Sequence, residues 1–144
     1  MTLPPVADLV PHAAPMVLLD ELVEVQSNQI VARSVVRADA PFVEAAGLPA
    51  LVTLEYMAQA VAAYAGLQAR ADGEAVRLGF LLGCRDLRIH CDFVPIGATL
   101  VVTSQRTWGD SQLGSFACTV ACDGVIVAEA VLNVAQPHNL SEVL

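Results

Sequence analysis

The chain contains no lysine. Its seven basic residues are all arginines, set against fifteen acids, and the net charge is −8 over 144 residues. Nucleic-acid binding needs a basic face, so that class of partner is excluded. The opening Met1-Thr-Leu-Pro-Pro5 has no basic region followed by an apolar stretch, so no signal peptide is read and a cytoplasmic location is expected. The four cysteines, Cys84, Cys91, Cys118 and Cys122, form no CxxC pair and have no paired-histidine spacing. No metal site is expected from them. Buried free thiols are expected rather than disulfides.

What the chain has in excess is apolar surface. Hydrophobic residues make up 56% of it. A single domain, 1–144, accommodates a real core at this length, and the surplus exceeds what a small monomer needs. Part of it is expected to cover a subunit interface or line a tunnel for an apolar chain. The longest apolar run, Leu51–Ala65, is shorter than the roughly 20 residues of a bilayer span. It also carries Glu55 near its middle, an expensive residue in lipid, so no membrane span is expected.

Glu55 is the most informative residue in that run. A carboxylate in apolar surroundings either finds partners or takes up a proton. Gln59 lies one helical turn later on the same face. Apart from tyrosine hydroxyls, Thr53 is the one other polar side chain between Leu51 and Ala65. A lone acid in the middle of the most apolar helix reads as a working group; the plain alternative is an acid bonded to neighbouring backbone or to an arginine.

Around this helix the sequence alternates. Pro4–Val10 is predicted as a short helix. Met16–Gln26 and Gln29–Arg37 are predicted strands joined at Ser27-Asn28. Residues 38–49 are irregular, broken by Pro41, Gly47 and Pro49. Pro49 suits the start of a helix running from Ala50 to Arg70, predicted to be buried on all sides. Strands follow at Val76–His90, Ala98–Trp108, Leu113–Cys122 and Val125–Ala135, with Asp123-Gly124 as a hairpin turn. Pro137–Leu144 reads as a frayed tail. The class is α+β, one helix on an antiparallel sheet.

Four stretches, in order along nearly the whole chain, carry a family resemblance. They are Leu9-Val-Pro-His12-Ala-Ala-Pro15-Met-Val-Leu-Leu-Asp20, Pro49-Ala-Leu-Val-Thr-Leu-Glu55-Tyr-Met-Ala-Gln59, Phe80-Leu-Leu-Gly-Cys-Arg-Asp-Leu-Arg88 and Phe93-Val-Pro95-Ile-Gly97-Ala-Thr-Leu100. Together they resemble the bacterial β-hydroxyacyl-acyl-carrier-protein dehydratases, and the second is the most specific. The resemblance implies the hotdog fold, a curved antiparallel sheet wrapped around one long central helix. It implies dehydration of a 3-hydroxyacyl thioester to the trans-2-enoyl form, without a cofactor. The substrate would ride on the phosphopantetheine of an acyl carrier protein or of CoA. Sites in this family lie at dimer interfaces, which implies a homodimer or a heterodimer with a related hotdog subunit.

In that family a helix glutamate, here Glu55, works with a histidine in the loop before the helix. The corresponding stretch, Pro41-Phe-Val-Glu-Ala-Ala-Gly-Leu-Pro49, is shorter and has no histidine. The chain is closer in look to the shortened dehydratase-like proteins of aryl-polyene pathways. Dehydration needs a base at C2, an acid for the C3 oxygen and donors for the thioester carbonyl. Glu55 is the candidate acid, its proton held by burial. The amides of Ala50 and Leu51, at the helix start, are candidate carbonyl donors. Gln59 is a candidate to hold the carboxyl or the departing water. His12 and the loop acid Glu44 are the candidates for the base; His90 is assigned a structural role and His138 a place in the tail. Arg70, Arg77, Arg85 and Arg88 form either a patch for an acidic carrier or an ordinary solvated surface. Two other readings stand: a hotdog thioesterase using the helix acid, and a half-catalytic subunit paired with a histidine-bearing paralogue.

Overall fold

The computed structural model describes residues 2–76, 79–110 and 112–136. Strands β1 (Glu21–Gln26) and β2 (Gln29–Val35) form the first hairpin. A two-residue strand β3 (Leu48–Pro49) leads through a 3-10 turn at Ala50–Val52 into helix α1 (Thr53–Ala71). Then come β4 (Phe80–Ile89), the short β5 (Phe93–Val94), β6 (Thr99–Gly109), β7 (Leu113–Cys122) and β8 (Val125–Ala135). The six long strands make one antiparallel sheet in the order β1-β2-β6-β7-β8-β4, and β3 pairs with β5 apart from it. The predicted helix-on-sheet arrangement is what forms.

Several predicted limits move. The first strand begins at Glu21, not Met16, because residues 16–18 are drawn onto the helix instead of the sheet. Pro4–Val10 forms only a single 3-10 turn at Val6–Asp8. The predicted tail lies outside the described residues. The small β3–β5 pair had no pattern long enough to predict it. It matters because it ties the helix start to residues 92–94: the Ala50 N–H donates to the Asp92 carbonyl at 2.9 Å.

The core follows from the strand period. On β6, Leu100, Val102 and Ser104 are buried, and so are Phe116, Cys118 and Val120 on β7 and Ala128, Ala130 and Leu132 on β8. These alternate residues face α1, which answers with Tyr56, Met57, Ala60, Ala63 and Tyr64. Tyr64 stands edge-on to Phe116, and its hydroxyl donates to the Ser27 carbonyl.

The helix is not buried on all sides, as the composition of its centre suggested. One flank, Leu51, Leu54, Glu55, Ala58, Ala62 and Ala65, is partly or fully exposed at regular i, i+3 and i+4 steps. The sheet covers the face opposite this flank and does not reach the flank itself. Its last strand, β4, is also uncovered: Leu81, Leu82, Leu87 and Ile89 are exposed, Leu82 at 59%. The segment Ala50–Ala71 is long and apolar enough to cross a bilayer, longer than the run alone indicated, but here over half of it is packed inside the sheet.

The side next to the open flank, through Gln59 and Gly66, is sealed by the N-terminal segment. Gly66 faces the backbone of Leu9 so closely that an added Cβ would fall inside the van der Waals radius of the Leu9 carbonyl. Gly66→Ala is therefore expected to destabilise the fold by about 1–3 kcal/mol, read by urea unfolding, because backbone and not a flexible side chain must move. The four cysteines are free thiols. Burial pushes the Cys118 thiol up to about 11, whereas Cys84 is exposed. At pH 8 an alkylating reagent is expected to modify Cys84 in the native protein and to reach Cys118 only after unfolding, as followed by peptide mass spectrometry.

Candidate active site

The acid that the sequence singles out lies in the first turn of α1, on the open flank. Its side chain is 38% exposed, so the deep burial expected of it is not found in this chain. The reason is the open flank of the helix.

What the chain does supply is a fixed position. Gln59 is fully buried, and its amide is completely committed. Its Oε1 accepts the Leu18 N–H at 2.8 Å. Its Nε2 donates to the Met16 carbonyl at 2.6 Å and to Glu55 Oε1 at 3.2 Å. Both amide hydrogens and the acceptor are thus used in orienting neighbours, and Gln59 has no donor left for a departing water. The Ser34 hydroxyl donates to the Leu18 carbonyl, so the strap at residues 16–18 is pinned from the sheet as well as from the helix.

The strap brings His12 to the site. Its Nε2 lies 3.2 Å from the same Glu55 Oε1, and its side chain is 27% exposed. Its Nδ1 is buried with no partner among the described residues. Glu55 Oε1 therefore accepts one hydrogen bond, from Gln59, with the His12 ring nitrogen in ion-pair range beside it, and no protein donor is found at Oε2 among the described residues.

The other candidates fall elsewhere. The Ala50 N–H is spent on Asp92, so it cannot polarise a substrate carbonyl. The Leu51 N–H has no backbone partner among the described residues, and its side chain is 60% exposed on the open flank. Glu44 is an exposed loop acid whose backbone closes a turn with Gly47. His90 pairs with Glu129 at 3.1 Å on the exposed side of β4 and β8, in keeping with a structural role. His138 and Arg77 lie outside the described residues. Arg85 and Arg88 are exposed on β4. Among the described residues no cluster of three metal-ligating side chains occurs. Sequence reasoning missed the strap; the signal was Pro15 and Met16 breaking a strand pattern beside His12.

A family model described as ApeP-like, ApeP dehydratase, matches residues 4–144. The chain belongs to the ApeP-like dehydratase family. As a member it is a hotdog-fold hydro-lyase. Its structure superposes on a chain of the dehydratase heterocomplex ApeI:P from Xenorhabdus doucetiae with a TM-score of 0.92 and 32% identity, covering 99% of this chain and 96% of that one. It is 28% identical to the 3-hydroxyacyl-[acyl-carrier-protein] dehydratase FabZ of Anaeromyxobacter dehalogenans, over 87% of this chain and 83% of that protein. The E. coli PaaI protein from the phenylacetic acid degradation operon has the same fold, with a TM-score of 0.63 and 15% identity, covering 81% of this chain and 82% of that one. A likeness at that identity carries the fold and no activity, and the thioesterase reading gains nothing from it.

Removing the Gln59 amide strips partners from two strap groups, the Leu18 N–H and the Met16 carbonyl. Gln59→Leu is expected to cost about 2–4 kcal/mol in urea unfolding and to raise hydrogen exchange at Leu18. Unchanged exchange there would mean that the strap is held by something else.

Proposed function

We propose that this chain is the glutamate-bearing half of a dehydratase acting on a 3-hydroxyacyl thioester. The substrate is carried on the phosphopantetheine of an acyl carrier protein, and the product is the trans-2-enoyl thioester. The observation that carries the reading is the division of labour at one carboxyl: Gln59 bonds Oε1, His12 stands beside the same oxygen, and Oε2 is left to work. A carboxylic acid held this way has its proton on Oε2, aimed at the C3 hydroxyl. Giving up that proton leaves a carboxylate stabilised by His12, Gln59 and the helix N-terminus.

The base at C2 comes from outside this chain. His12 has one ring nitrogen committed to Glu55 and the other buried, so neither is offered to a substrate. That assigns His12 to positioning. In the full step the partner's base takes the C2 proton and Glu55 protonates the C3 oxygen. Water leaves, the C2–C3 double bond forms, and proton exchange through solvent resets both groups. The Leu51 N–H is the remaining candidate donor at the thioester carbonyl.

The open helix flank and the exposed leucines of β4 support a second hotdog chain as that partner. The match to one chain of a dehydratase heterocomplex favours a heterodimer over a homodimer. Exposed Arg85 and Arg88 suit an acidic carrier protein near the groove. No cofactor enters the scheme, and the free thiols agree with a reducing cytoplasm.

The test is reconstitution. The chain alone and the chain mixed with a histidine-bearing hotdog subunit are each given a 3-hydroxyacyl carrier protein, and loss of one water is followed by mass spectrometry. Turnover is expected only in the mixture, falling by at least about a hundredfold with Glu55→Gln and less with His12→Ala. Full-rate turnover by the chain alone would overturn the half-site reading. Thiol release from acyl-CoA would move the protein to the thioesterases.

A further inference from the structure

The sheet has a second face, turned away from α1. The residues that alternate with the core rows of β6, β7 and β8 point there: Val101, Thr103, Ala117, Thr119, Ala121 and Val131. All six are at least partly exposed, and none is charged or larger than valine. The middle of this face is flat and neutral, so covering it strips no charge of water. Charge stands at its two sides. On one side Arg33 of β2 is bridged to Glu21 of β1. On the other Glu129 of β8 is bridged to His90 at the end of β4, at 3.1 Å. Counted outward from the middle, the order is base then acid on the first side and acid then base on the second.

We infer that two copies of this chain meet on this face, sheet on sheet, about a two-fold axis that runs along the strands between β6 and β7. Stacked sheets stand roughly 10 Å apart with their strands nearly aligned. In the strand order β1-β2-β6-β7-β8-β4 the midline falls between β6 and β7. Rotation about it sets β2 of each copy over β8 of the other, and β1 over β4. Arg33 is in register with Val101 and Ala121, and Glu129 with Thr119 and so with Thr103. The two rows differ by two residues, a step of roughly 7 Å that an arginine side chain spans. Each copy's Arg33 therefore reaches the other's Glu129, and each Glu21 lies on the side of the other's His90. An axis across the strands would set β2 over β2 and β8 over β8, like charge over like. The area suffices. β6, β7 and β8, with 11, 10 and 11 residues, and β2, with 7, make a face of roughly 600 Å² at about 4.8 Å between strands and 3.4 Å per residue. Two copies would cover roughly 1,200 Å² in all, the lower end of specific interfaces. The face lies across the sheet from Glu55 and the open helix flank. The pairing is thus independent of the dehydratase reading, and it joins two half-site assemblies back to back without closing either site.

The full chain, alone and assembled with a histidine-bearing hotdog subunit, is weighed by sedimentation equilibrium. Arg33→Glu sets acid over acid at both sides of the axis, and Glu129→Arg sets base over base. Each is expected to halve the mass of the assembly and to raise its dissociation constant at least about tenfold. An equal mixture of the two variants puts unlike charges back together at both sides. It is expected to recover the full mass, which also shows that both variants fold. Thr119 lies beside the axis, so Thr119→Cys in a Cys84→Ser background is expected to join two copies through a short bis-maleimide, and the Cys84→Ser chain is not. Masses that neither charge variant changes, a mixture that stays at half mass, or a Thr119→Cys chain that does not join its own copy would each overturn the pairing. A cross-link from that cysteine to the hotdog subunit or to a carrier protein would overturn it as well, since a different chain would then cover the face.

Discussion

A single buried amide organises this molecule. Gln59 has no exposure to water, so each of its polar atoms must find a partner inside the protein. It finds three partners on two pieces of chain: the Leu18 amide and the Met16 carbonyl of the strap, and the Glu55 carboxyl of the helix. The strap before the first strand is therefore fixed to the helix, and His12 with it. Were the amide replaced by an apolar group, the strap would lose its anchor and the histidine its address. The geometry of the proposed site and the stability of the fold meet at this residue, whose polar atoms are all spent within the protein.

The second constraint is an omission. The sheet packs β2, β6, β7 and β8 against α1 and leaves one flank bare, with Glu55 at its start. A bare apolar flank beside an uncovered edge strand is costly for a monomer and ordinary for half of a dimer. On the proposed reading, the opening that leaves Glu55 exposed in the single chain admits the substrate once a partner roofs it. Surface composition, site and assembly are thus one problem with one solution. The family membership and the likeness to a heterocomplex chain point the same way.

Much of this was legible in the residues. Strand alternation placed β7 and β8 at their observed limits, because each is bounded by turn residues and has one face buried. The four-residue spacing of Glu55 and Gln59 placed them on one face, and their hydrogen bond follows from it. His12 was a candidate only through its neighbourhood; its contact with Glu55 depends on a strap whose path is set by long-range bonds with no local signature. The shape of the helix was misread for a related reason. Alanine is small and apolar whether it faces a core or an interface, so Ala58, Ala62 and Ala65 looked buried. The Ala50 amide was misassigned because the short β3–β5 pair, which claims it, is too brief to leave a periodic pattern.

The central claim is that the Glu55 carboxyl, aimed by His12 and Gln59, faces the C3 oxygen of a thioester in a groove closed by a second chain. The most direct measurement is a crystal structure of the assembled complex with an unreactive amide analogue of the 3-hydroxyacyl thioester. The account predicts Glu55 Oε2 at about 3 Å from the C3 hydroxyl, with His12 still on Oε1 and a base from the partner beside C2. An analogue bound with its C3 hydroxyl away from Glu55, or a partner that leaves the alanine flank open to water, would contradict it.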